Sequence, residues 1–264
     1  GLELRLNDAG VRLVQAQAET AMSEFLAGED REAKEAHLAY WVDPDEKNPQ
    51  FSALFYVQVT RFQDDGYSIG ISCSVLLADP LFVLGFLRRW AQIHVEMKAQ
   101  DRLPKVPIFF LGSFKRAGRA THLSSKPLDS ILGDTHRTIL FEFPAGAPEQ
   151  QAFIAAAAAA KRAGEKATPE FSLIAARTDR LKELKVDELC VNEVMPMSNG
   201  SFKGSLHIVD WDQLCTDGLA FGEDNKPVRV SCHIDSGASR ALVLVMPPLE
   251  QGGSGLISVT LPKA

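Results

Sequence analysis

The chain has 264 residues, 45% of them apolar and 23% charged, the balance of an ordinary globular protein with enough surface to bury a sizeable core. A formal net charge of −6 argues against a nucleic-acid binder, which normally presents a basic face. No run of 18 apolar residues occurs, so no membrane-spanning helix is expected. The opening "GLELRLNDAGVRLVQA" has neither signal-peptide nor transit-peptide character, and it begins without Met inside a strand pattern, as a truncated product would. Cys73, Cys190, Cys215 and Cys232 show no CxxC spacing, which predicts reduced, buried thiols.

In chain order, "LELRL" and "VRLVQA" flank "NDAG" and predict a hairpin, and "TAMSEFLAG" predicts a short helix ending at Gly28. The charge-rich segment 29–48 reads as loop around one strand, "HLAYWV". "SALFYVQVTRF" and "YSIGISCSV" flank "QDDG", a stronger hairpin signal. Asp79 and Pro80 then open a long helix. Asp is a favoured N-cap and Pro suits the first helical position. Val83, Phe86, Leu87, Trp90, Ile93 and Met97 recur at helical spacing and predict the buried stripe of that helix. From Ala99 to Leu132 little periodicity remains apart from "VPIFFLG", so this stretch is read as a linker. It divides the chain into an N-terminal half, 1–133, and a C-terminal half, 134–264.

The second half begins with the strand "RTILFEF". An Ala-rich helix follows, with Pro148 and Glu149 first, cations last and Gly164 behind. Thr168 and Pro169 predict a second helix over "TPEFSLIAARTDRLKEL". Four strands are expected after it: "FKGSLHIVDW", "PVRVSCHI", "ALVLVMP" and "GLISVTLP", with "DSGASR" as a hairpin loop between the middle pair. This order predicts α/β layers with mainly antiparallel neighbours late in the chain.

Phosphate-binding glycine motifs, GxSxG and HExxH are absent, and "CHID" at Cys232–Asp235 lacks partners at metal-ligand spacing. No metal site is expected. "GGSG" at 252–255 reads as a surface turn and the alanine run as helix interior.

"IGISCSVLLADPLFVLGFLRRWA" resembles the BAHD acyltransferases of plants, whose HxxxD motif follows a strand ending in G(I/V)S and leads into a helix. Other stretches fall in that family's order. "LNDAGVRLVQAQAETAMSEF" is similar to an early segment, and "FYVQVTRFQDDGYSIGIS" to a strand pair. "GLAFGEDNKPVRV" stands at the DFGWG position, and "ALVLVMPP…ISVTLP" matches the closing strands. Within the family the pattern looks most like the eceriferum/glossy wax branch. The resemblance implies a chloramphenicol-acetyltransferase-like two-half fold, mixed sheets packed against helices, incomplete relative to the family.

In the family the HxxxD histidine is the general base that deprotonates an acceptor hydroxyl or amine as it attacks an acyl-CoA thioester. The aligned residue here is Val75, four before Asp79, and a valine cannot accept a proton. The second motif keeps only Phe221 and Gly222, within Leu219–Glu223. Asp79 reads as a helix cap, and the family reading, in which this Asp orients its motif, is structural too. Asp79, Pro80, Phe221 and Gly222 are therefore read as structural residues, and no catalytic residue is assigned.

Strand alternation would put Ile71, Cys73 and Val75 on one face, making Cys73 the nearest titratable group and a substitute base; its plainer reading is a small buried hydrophobe. His94 falls about four turns along the helix. His207 with Asp210 reads as strand surface, while His37, His122 and His136 have no place in this scheme.

Three functions stay open. The first is a BAHD-like protein with lost or much reduced acyl transfer, acting as an accessory in very-long-chain fatty acid elongation for cuticular wax through a condensing enzyme. The second is an active acyl-CoA-dependent O- or N-acyltransferase with a non-standard base. The third is a non-functional truncated product. The implied ligands are acyl-CoA and an alcohol or amine acceptor, with no permanently bound cofactor. A cytoplasmic monomer is expected, held at the endoplasmic reticulum surface by a partner.

Overall fold

The computed structural model describes residues 11–29, 31–45, 47–102, 136–144, 148–164, 170–176, 184–189, 206–211, 214, 218–223, 225–234, 241–246 and 253–262. The architecture is α/β with mixed sheets, as expected. The chain divides into two units. One comprises Gly1–Cys73, Phe86–Ser130 and Asp217–Val228; the other comprises Ser74–Gly85, Ile131–Thr216 and Arg229–Ala264. The expected boundary at 133/134 lies outside the described residues.

The first unit holds a three-stranded sheet, β1 (Arg12–Gln17), β2 (Phe55–Arg61) and β3 (Tyr67–Cys73), in the order β1-β2-β3. β1 runs parallel to β2, whereas β2 and β3 form the expected hairpin. The hairpin closes where the Phe62 N–H donates to the Gly66 carbonyl at 2.8 Å, with Asp65 at φ +60°. Asp is one of the few L residues that tolerate this region. The partner proposed for β1 through "NDAG" lies outside the described residues.

One face of this sheet is strapped. "HLAYWV" is not a strand: Ala36–Leu38 forms a single 3-10 turn, and the residues after it join no sheet. The strap is held by a neighbour from far along the chain. Gln58 Nε2 donates to the His37 carbonyl at 2.8 Å and to Thr60 Oγ1 at 2.9 Å. Gly70, the cross-strand partner of Gln58, leaves the space through which the Leu38 carbonyl passes. Tyr40 and Trp41 then pack edge-on against Tyr56, with ring centroids 5.3 and 5.7 Å away. On the opposite face Val57 is buried, but Leu13, Ile69 and Tyr67 are exposed.

α1 (Met22–Ala27) ends at Gly28 as expected, and α2 (Arg31–Glu35) follows it. The long helix α3 spans Pro80–Ala99. Its most deeply buried positions are Leu81, Leu84 and Ala91 rather than the predicted stripe, in which Phe86 and Ile93 are exposed. Phe86 meets Phe55 ring edge to ring (5.3 Å) and is still 36% exposed.

The second unit is built on a six-stranded sheet ordered β6-β5-β8-β9-β4-β7. Its strands are β4 (His136–Phe143), β5 (Phe171–Ala176), β6 (Leu184–Leu189), β7 (His207–Ile208), β8 (Ala241–Met246) and β9 (Gly255–Pro262). Within this sheet, among the described residues, β5 and β8 pair in parallel and the other neighbours are antiparallel. α4 (Pro148–Ala163) covers one face. Its Ala152, Ala155, Ala156, Ala159 and Ala160 lie on one helical stripe, all buried against alternate residues of the central strands, among them Phe141, Leu173, Val243, Ile257 and Val259. Alanines let the helix axis approach the sheet closely. Gly164, at φ +78°, ends α4 in the left-handed conformation that glycine adopts without steric cost.

Two expectations fail here. "FSLIAA" lies in the predicted helix at Thr168–Pro169 but forms β5. Phe171 and Leu173 enter the core at period two, and pairing with β6 and β8 overrides a helix-like local sequence. Thr168 and Pro169 themselves lie outside the described residues. "PVRVSCHI" joins no sheet, and "FKGSLHIVDW" supplies only the two-residue β7 among the described residues.

Candidate functional site

The turn after β3 is built from the backbone of Ser74. Its carbonyl accepts the N–H groups of Leu77 (2.9 Å) and Ala78 (3.1 Å), and its hydroxyl accepts the N–H of Leu76 (3.3 Å). β3 ends at Cys73, and Val75 opens the turn. Strand alternation therefore does not carry through to Val75, and the geometric reason for pairing it with Cys73 disappears. Val75 is half-buried, whereas Leu76 and Leu77 are exposed.

Asp79 closes the turn and starts α3. Its Oδ1 accepts the Phe82 N–H at 2.8 Å, and its carbonyl accepts the Val83 N–H at 3.1 Å, the hydrogen-bond pattern of an N-cap. Pro80 is the first helical residue, a position whose N–H would lack an intrahelical partner in any case. The turn thus holds a cap, a proline and a valine. A valine side chain at this position has no atom that can accept a proton.

Phe221 and Gly222 sit elsewhere, in the first unit, on the C-terminal part of α3. The Phe221 ring meets Trp90 at 5.4 Å and His94 at 5.8 Å, both edge-on. A Cβ on Gly218 would lie 3.7 Å from the Arg88 side chain, and one on Gly222 would lie 3.8 Å from Lys98 Nζ. Residues 218–222 thus run alongside α3 from Arg88 to Lys98. The row of rings continues from Trp90 to Phe86 (6.2 Å) and on to Phe55. The sequence held one signal for this, the surviving Phe-Gly pair, but nothing in it points to α3.

The other candidates are scattered. Cys73 is half-buried opposite Phe55 on β2, and Cys232 is half-buried in the second unit. His37 is exposed in the strap, and His207 is exposed on β7. His136 begins β4. His122, Cys190 and Cys215 lie outside the described residues. Among those described, no group of three or more His, Cys, Asp or Glu side chains could hold a metal ion, and no helix is long and apolar enough to cross a membrane.

Residues 1–113 match the model of the Transferase family. Two Arabidopsis thaliana proteins are similar over about 90 residues: Protein ECERIFERUM 26-like (35% identity, 34% of this chain and 21% of the relative) and Protein ECERIFERUM 26 (33% identity, 34% and 20%). Hydroxycinnamoyl-CoA:piscidic acid hydroxycinnamoyltransferase of Actaea racemosa is 30% identical over 138 residues, covering 50% of this chain and 29% of that one. The aligned parts thus span less than a third of these relatives' lengths. The crystal structure of vinorine synthase aligns over 98% of this chain and 74% of its own, at 16% identity and a TM-score of 0.38. The family-model match over residues 1–113 and the similarity to the two eceriferum proteins agree with the resemblance drawn from the sequence.

Proposed function

We propose that this protein, whose residues 1–113 match the Transferase family model, is acyltransferase-like in build with lost or much reduced transfer chemistry, serving instead as an accessory to very-long-chain fatty acid elongation. The observation that carries the reading is Val75. It stands four residues before a capping Asp79, where the family keeps its general base, and a valine side chain has no lone pair to accept a proton. Loss of a general base typically lowers the rate by about 10²–10⁴-fold. The similarity to eceriferum proteins supports the wax-related role, in which the chain acts by contacting a condensing enzyme of the elongase.

The first test is acyl transfer, followed as free thiol released from acyl-CoA with alcohol or amine acceptors. The expected result is no release above the blank. Asp79→Ala should lower the melting temperature without altering transfer. Robust wild-type turnover would overturn the proposal in favour of a transferase with another base. Val75→His reads the pocket itself: a strong gain means that the acyl and acceptor sites persist, and no gain means that they have been lost too. The accessory role is tested by co-expression with an elongase condensing enzyme. Longer acyl products are expected, and an unchanged chain-length profile refutes that role.

A further inference from the structure

We draw no further inference here: the strongest candidate, the open apolar face of the β1-β2-β3 sheet carrying Leu13, Ile69 and Tyr67, has nothing in the structure to show what covers it.

Discussion

The carboxylate of Asp64, at the tip of the β2–β3 hairpin, accepts the backbone N–H of Met22 at 2.9 Å and that of Ser23 at 3.4 Å. α1 has no capping side chain of its own, since Ala21 occupies the N-cap position. The hairpin supplies the cap from more than forty residues away in sequence. Gly66 makes the approach close enough, for a Cβ there would come within 2.9 Å of Met22 Sδ.

The Asp64 bond makes part of the stability depend on acid. The Met22 N–H, first among several backbone donors, holds the Asp64 carboxyl below the usual carboxylate range. A depressed folded-state pKa gives stability that is present above the unfolded value and lost as pH falls through the folded one. Thermal melts from neutral pH downward should therefore show a decline below about pH 4. Asp64→Asn should soften that decline and lower the neutral-pH melting temperature slightly. An unchanged acid limb in the variant would show that the Asp64 cap contributes nothing.

Gly70 is a second point of close approach. A methyl group there collides with the Leu38 carbonyl, which is backbone and cannot swing aside. Gly70→Ala should cost about 1–3 kcal/mol, as overpacking does. It should also weaken the near-ultraviolet circular dichroism of the Tyr40–Trp41–Tyr56 cluster, because the strap must lift. Gly164→Ala meets no atom within 4 Å and carries only the strain of its φ of +78°. Chemical denaturation of both variants should rank Gly70→Ala as the more damaging, with loss of aromatic signal in that variant alone.

The alanine face of α4 makes a position-specific prediction. Ala156 is fully buried against the sheet, and Ala158, two residues on, is exposed. Ala156→Leu should destabilise the protein by roughly 1–3 kcal/mol. Ala158→Leu should be nearly neutral. Equal urea midpoints for the two would contradict the close packing of this helix on the sheet.

Phe221→Ala should remove the edge contacts to Trp90 and His94. Each such aromatic pair contributes about 0.5–1.5 kcal/mol beyond area burial. A lower melting temperature and altered tryptophan emission are expected. If neither moves, the Phe-Gly remnant is not what holds residues 218–222 along α3.

Local chemistry was readable from the sequence, and distant pairing was not. Asp79-Pro80, the "QDDG" hairpin and the Ala-rich helix with Gly164 behind it are each decided within a few residues, so each was legible. β5 was misread because its strand state comes from β8, some seventy residues away in sequence, and not from its own composition. "HLAYWV" was misread for the same reason, since Gln58 and Gly70 decide its path. At the candidate site, the replacement of the base by Val75 was visible in one line of sequence. The end of β3 at Cys73 was not, because turn bonds to Ser74 override an apolar run that could have continued the strand. Nor could spacing reveal that Phe221 packs against Trp90 and His94.

The strand order of the larger sheet also dictates how that unit must assemble. β9, last along the chain, lies between β8 and β4, and from His136↔Pro262 to Phe143↔Gly255 every β4–β9 pair joins opposite ends of the unit. Such pairing closes a long loop before any contact rewards it, which slows folding. Until β9 pairs, the apolar side chains it contributes beneath α4, Ile257, Val259 and Leu261, are absent from that core. A chain cut before Gly255 would lose the strand that β4 and β8 share and leave one edge of each open to other molecules.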